Sequence, residues 1–345
     1  MDANTIKYDL ETPLEDVKAG AAANRPAAIF ELASRYHHGD GGVERDTRKA
    51  AQLFERAGKM KYARAWNSLG LCYERGLGVA PDLAAAARCY RKGGELGDPT
   101  SLCNLGTCYL KGDGVKKNPK SAFRFFQKSV NLGHKNALVN LAYCYQNGIG
   151  VDKDYAEAIR CYELALAENI GEAYVNLAWM YQEGQGVEVD YAKSIELLEK
   201  AVELETPVAS HNLARFYRDG LGVELNYERA AELYQLSIDR GFDGSYYSLA
   251  ELYENGIGVQ RDFVKALELY RESATRGEER ALRRYRELSK YISTRTDRAI
   301  VGDDGHDEAS GLVVQSILNA SSPSDVTVDE IITEEFKDVA DDDQE

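Results

Sequence analysis

A valine returns every 36 residues through most of this chain, at Val43, Val79, Val115, Val151, Val187, Val223 and Val259. A period of that length leaves few folds open. Each unit is too short to bury a core by itself and must stack on its neighbours. The 345 residues therefore count repeats rather than ordinary domains.

Each unit follows one grammar. A small residue (Ala28, Ala65, Ser101, Ala137, Ala173, Ala209, Ser245) is followed four positions on by a leucine (Leu32, Leu69, Leu105, Leu141, Leu177, Leu213, Leu249). Gly or Ala stands directly after that leucine, and a tyrosine (Tyr36, Tyr73, Tyr109, Tyr145, Tyr181, Tyr217, Tyr253) completes the stripe. Apolar spacing of this kind marks one face of a helix, and the small column lets a second helix approach closely. A G-x-G-V turn comes next, as in Gly76, Gly78 and Val79. Paired glycines suit a chain reversal because glycine enters positive φ without strain. Six copies of the turn speak for structure rather than for a phosphate loop. Three residues past the valine stands Asp46, Asp82, Asn118, Asp154, Asp190, Asn226 or Asp262. Each is placed to cap a second helix, worth about 1 kcal/mol. That helix carries a small residue and then an aromatic at Phe54, Tyr90, Phe126, Tyr162, Tyr234 and Tyr270, with Leu198 in the same column. The first unit departs, with one extra residue between Tyr36 and Val43, and its turn is expected to be the loosest.

The pattern predicts an all-α chain. Residues 1–10 are expected to be disordered, 11–27 to form an N-terminal capping helix, and 28–280 to form seven tandem repeats. Residues 281–292 form a C-terminal capping helix, and 293–345 an acidic, mostly disordered tail. Charge supports the last boundary: residues 296–345 hold 15 Asp or Glu against Arg298 and Lys337, which accounts for nearly all of the net −15. A nearly neutral array with an acidic tail is a poor match for nucleic acid or an anionic membrane. The N-terminus, MDANTIKYDLETPLEDVK, has neither the basic region nor the apolar run of a secretory signal, and no segment is long and apolar enough to span a bilayer. A soluble, cytoplasmic protein is expected.

The six cysteines fall mostly in core columns. Cys72, Cys108 and Cys144 share one position, and Cys89 and Cys161 share another, in columns that elsewhere hold Phe, Leu or Met. They read as small buried hydrophobes, with pairing of Cys72 with Cys89 and of Cys144 with Cys161 left open. No G-x-S-x-G, P-loop, C-x-x-C or paired histidine at metal spacing occurs, so no catalytic residue, cofactor or metal ligand is assigned.

The columns A-x-x-x-L-G/A-x-x-Y-x-x-G-x-G-V-x-x-D-x-x-x-A-x-x-x-Y resemble the Sel-one-like repeat (SLR) family, a branch of the tetratricopeptide superfamily. The resemblance implies a right-handed superhelical solenoid of antiparallel helix pairs, the first helix of each pair lining a concave surface. It implies a noncatalytic adaptor or scaffold that binds peptides or proteins. The alternative it brings is a β-lactam-binding or β-lactamase-like hydrolase, which secretion and oxidised cysteines would favour.

On that concave side the resemblance places Asn104, Asn140, Asn176 and Asn212. In the related tetratricopeptide repeats an Asn at this position contacts the backbone of a bound peptide, and an amide can both donate and accept. Bridging of neighbouring repeats is the other reading. The same face collects Tyr143, Gln146, Trp179, Gln182, His211, Arg215 and Arg218, and aromatic and arginine side chains are common interface anchors. Such a surface suits a peptide with an apolar anchor and acidic flanks. Residues 326–339, VTVDEIITEEFKDV, have that makeup within the chain itself. Docking of this tethered segment in the groove is a further expectation.

Overall fold

In the computed structural model, residues 8–300 are described. They form sixteen helices and, among the described residues, no strand. Helix α1 (Leu14–Ala22) precedes seven pairs: α2 (Pro26–His38) with α3 (Thr47–Lys59), α4 (Ala63–Arg75) with α5 (Leu83–Glu95), α6 (Pro99–Lys111) with α7 (Pro119–Asn131), α8 (Ala137–Asn147) with α9 (Tyr155–Leu166), α10 (Gly171–Glu183) with α11 (Tyr191–Glu203), α12 (Pro207–Asp219) with α13 (Tyr227–Asp239), and α14 (Ser245–Asn255) with α15 (Phe263–Thr275). Helix α16 (Glu279–Ile300) follows. The chain divides within α10 into two compact units, the first ending at Asn176 and the second beginning at Leu177. Each unit is an all-α solenoid in which consecutive helices pack on one another.

The columns of the sequence are the core. All seven small residues that open the first helices are fully buried, and the leucine four positions on is at most 8% exposed in every repeat. Burying one such leucine contributes about 2 kcal/mol. The small residue after the leucine faces the aromatic of the second helix. At Gly106 a Cβ would sit 2.7 Å from the Phe126 ring, so the two helices of this pair meet at backbone distance.

Local hydrogen bonds set the helix boundaries. All seven cap residues accept from the backbone N–H three positions on, at 2.8–3.0 Å. The first glycine of the turn adopts the left-handed conformation that ends the preceding helix, as at Gly112. The second glycine has a different reason. A Cβ at Gly114 would land on the carbonyl of Leu83, at the start of the preceding repeat's second helix, so this position is where one repeat's backbone seats on the next.

The ends are closed by arginines. Arg35, 1% exposed, pairs with Glu31 at 2.9 Å and donates to the carbonyls of Asp9, Thr12 and Gly41. It thereby ties the segment before α1 and the turn that carries the extra residue, a turn the sequence marked as loose. Tyr8 is held as well, accepting from Arg25 at 3.0 Å. Of the stretch expected to be disordered, residues 8–10 are thus anchored, and residues 1–7 lie outside the described residues. At the other end α16 runs to Ile300, past the expected boundary at 292. Arg284 of α16 reaches Glu254, which is buried at 7% and also accepts from Tyr270 at 2.8 Å. The tail beyond residue 300 lies outside the described residues.

Candidate functional site

The side chains singled out from the sequence separate into those spent inside the array and those left at its surface. In the first unit most are spent. Asn104 donates to Asn67 Oδ1 at 2.9 Å, and Asn140 donates to Cys103 Sγ at 3.4 Å. Both bonds span 37 residues, so these amides bridge one first helix to the one before it. Gln146 is 4% exposed, and its Oε1 accepts from the Tyr162 hydroxyl at 2.9 Å. It points inward rather than onto an open face. Tyr143 is 45% exposed, while Asn176 is half-buried and has no side-chain hydrogen bond among the described residues.

The Gln146 bond belongs to a pattern that the sequence reading missed. Residues 16 apart on the two helices of a pair match in chemistry: Glu74 accepts from Tyr90 and Glu254 from Tyr270, while Leu110 stands in the same relation to Phe126. In these pairs a hydroxyl in the second helix is met by an acceptor in the first, and in the third repeat a ring without one by a leucine; Tyr234 and Phe54 depart, with Arg218 and His38 at that offset. Burial holds the Tyr162 phenol well above its ordinary range, and burial followed by the Glu254 bond does the same for Tyr270.

In the second unit, Trp179 on α10, Arg215 on α12 and Glu251 on α14 hold one position in successive first helices. Trp179 is 44% exposed. Arg215 is exposed and has no ion-pair partner among the described residues. Asn212, one turn before Arg215, is half-buried and likewise has no side-chain hydrogen bond among the described residues. The others are engaged. Gln182 donates to Glu183 at 2.9 Å. Arg218 forms a two-bond pair with Asp219 at 2.7 and 2.9 Å, and that guanidinium holds the Asp219 carboxyl below its usual range. His211 lies 2.9 Å from the Ser245 hydroxyl and between the rings of Tyr234 and Phe242, at 5.3 and 5.2 Å. Burial, then the charges of Arg215 and Arg218, push its pKa down to about 4, so the imidazole is neutral at physiological pH. The surface that remains offers an aromatic ring, a cation and an amide, a combination suited to binding rather than bond-making.

All six cysteines are free and buried. Burial pushes the thiols of Cys72, Cys89, Cys103 and Cys108 up to about 11 and that of Cys144 up to about 12, so none is poised as a nucleophile. Among the described residues no group of His, Cys, Asp or Glu is arranged to hold a metal ion, and no helix is long and apolar enough to cross a membrane.

The sequence model of the Sel1 repeat matches seven consecutive segments, 26–62, 64–98, 99–134, 135–169, 171–205, 207–242 and 244–278. Among solved structures, the chain is similar to c5321, a protective antigen of uropathogenic Escherichia coli that displays an SLR fold. The TM-score is 0.61 at 27% identity, covering 94% of this chain and 68% of that one. It is similar also to a Sel1 repeat protein from Oxalobacter formigenes, with a TM-score of 0.62 at 26% identity, covering 66% of this chain and 92% of the other. No curated protein sequence matches.

Proposed function

We infer that this chain, which belongs to the Sel1 repeat family, is a noncatalytic adaptor that holds a peptide segment of a protein partner on the first-helix face of its second unit. Sel1 repeat arrays are protein-interaction scaffolds, and the partner of this one is read from chemistry. Trp179 carries the inference: a large aromatic ring on α10 that stays 44% exposed. With Arg215 and Asn212 in the neighbouring pair, the face suits an extended segment that presents an apolar side chain and a carboxylate. Six buried free thiols speak for a reducing, cytoplasmic setting. The acidic tail carries the same chemistry on a tether and is read as a tethered ligand.

Trp179→Ala and Arg215→Ala should each weaken a partner recovered by affinity capture by about tenfold or more, the usual effect of losing an interface anchor. Asn104→Ala, which removes a bridging amide, should leave that affinity unchanged. Partners that bind Trp179→Ala and Arg215→Ala as tightly as the parent chain would move the site off this face.

A further inference from the structure

Unpaired positive charge is concentrated in the first unit, at the turns of the third and fourth repeats. Two clefts of about 920 and 480 Å³ open there and share Lys117 and Asn118. Their walls bring Arg91, Lys116, Lys117 and Lys120 together against a single carboxylate, Asp152. All four cations are exposed, and none has an ion-pair partner among the described residues. Arg91 donates to the Tyr109 hydroxyl at 3.0 Å, which keeps its charge over the cleft. Arg229 and Arg276 of the second unit are situated differently, on Glu232 and Glu272. Between the cations, Leu110, Val115, Ile149 and Val151 give the cleft a half-buried apolar lining. The N-terminus of α7 opens at the same place and adds its partial positive charge.

A cleft that alternates cation and hydrocarbon matches a peptide that alternates carboxylate and hydrocarbon. The chain contains one. Val326–Val339 interleaves Val328, Ile331, Ile332 and Phe336 with Asp329, Glu330, Glu334, Glu335 and Asp338. We propose that this segment seats in the cleft of its own molecule, carboxylates on Lys116, Lys117 and Lys120, apolar side chains on the lining around Leu110 and Ile149. The seat rests on the reading of the tail as a tethered ligand and assigns it a place other than the Trp179 face, where Asp219 already neutralises Arg218. The residues between Ile300 and Val326 extend to about 80 Å. Tethering supplies an effective concentration of about a millimolar, enough for a contact that solvent and salt keep weak.

Zero-length carbodiimide cross-linking of the full-length protein tests the proposal, with ¹⁵N-labelled and unlabelled chains mixed in equal parts. Cross-links from Asp329–Asp338 to Lys116, Lys117 or Lys120 should join like-labelled peptides. Their yield at Lys120 should fall by about fivefold or more at high salt and in Lys116→Glu/Lys117→Glu, which keeps the Lys120 amine as the reacting group. Adding Glu334→Lys/Glu335→Lys to that variant should restore them by charge exchange. Unchanged Lys120 yield in that variant, or cross-links shared equally between labels, would overturn the proposal. Tail cross-links to Lys193, Lys200 or Lys265 with none in the cleft would keep the tethered ligand and remove this seat. No tail-to-array cross-link at all would remove both.

Discussion

Replacing Gln146 with Leu takes the acceptor from a hydroxyl that has no water to turn to, since Tyr162 is 0% exposed and its Oη donates to Gln146 Oε1 at 2.9 Å. An unpaired buried hydroxyl costs about 1 to 3 kcal/mol. Tyr162→Phe alone leaves the amide oxygen without that donor and should cost about 1 kcal/mol. The double variant Gln146→Leu/Tyr162→Phe recreates the pair that the third repeat already holds, Leu110 with Phe126, where the ring is 0% exposed. It should lie within about 1 kcal/mol of the parent, giving a coupling energy of about 2 kcal/mol. Other contacts of Gln146 vanish in both arms of the cycle and cancel. With a urea slope of about 3 kcal/mol/M, Gln146→Leu should lower the midpoint by about 0.7 M, and the second substitution should return most of it. Circular dichroism follows the global transition. Amide exchange in α8 and α9 gives the local one, because a repeat array need not unfold as a unit. Strictly additive single effects would refute the pairing rule. A Gln146→Leu chain with parental stability and lost partner binding would return Gln146 to the surface.

Three further outcomes follow from the geometry. His211 has a folded pKa of about 4, below its unfolded value of about 6.5, so its contribution is full above pH 6.5 and is lost as pH falls toward 4. Stability should fall over that window by on the order of 3 kcal/mol, seen as a lower melting temperature and less so in His211→Gln, and an NMR titration midpoint near 6.5 would contradict it. Arg284→Ala strips a charge partner from the buried Glu254 carboxylate and should cost about 1 to 2 kcal/mol, less than a fully buried pair because the arginine is partly exposed. Exchange should then rise across α16 and not in α2. The six thiols should resist a disulfide reagent in the native protein and all react in denaturant. Fewer than six reactive thiols after unfolding would indicate oxidised pairs.

The sequence alone determined the helix pairs, their caps and their turns, because these depend on residues a few positions apart. Asp154 caps the helix that begins beside it, and Gly112 ends the one before it. The 36-residue recurrence of Leu and small residues likewise marks the core without reference to any partner. The fate of the candidate site was not legible in this way. A first-helix asparagine can face a peptide or the preceding repeat, and only the packing of Asn104 on Asn67 and of Asn140 on Cys103 selects the second. Gln146 looked like a surface residue in its own column, and its inward turn depends on Tyr162 in another helix. The pairs at Glu74 and Tyr90 and at Leu110 and Phe126 held that signal at a 16-residue offset. The cationic cleft was written as Lys116 and Lys117 with Lys120, yet Arg91 and Ile149 reach it from neighbouring repeats. Periodicity fixes what each residue does within its helix. Which polar groups are left for a partner is decided by contacts between helices, where distance along the chain gives no guide.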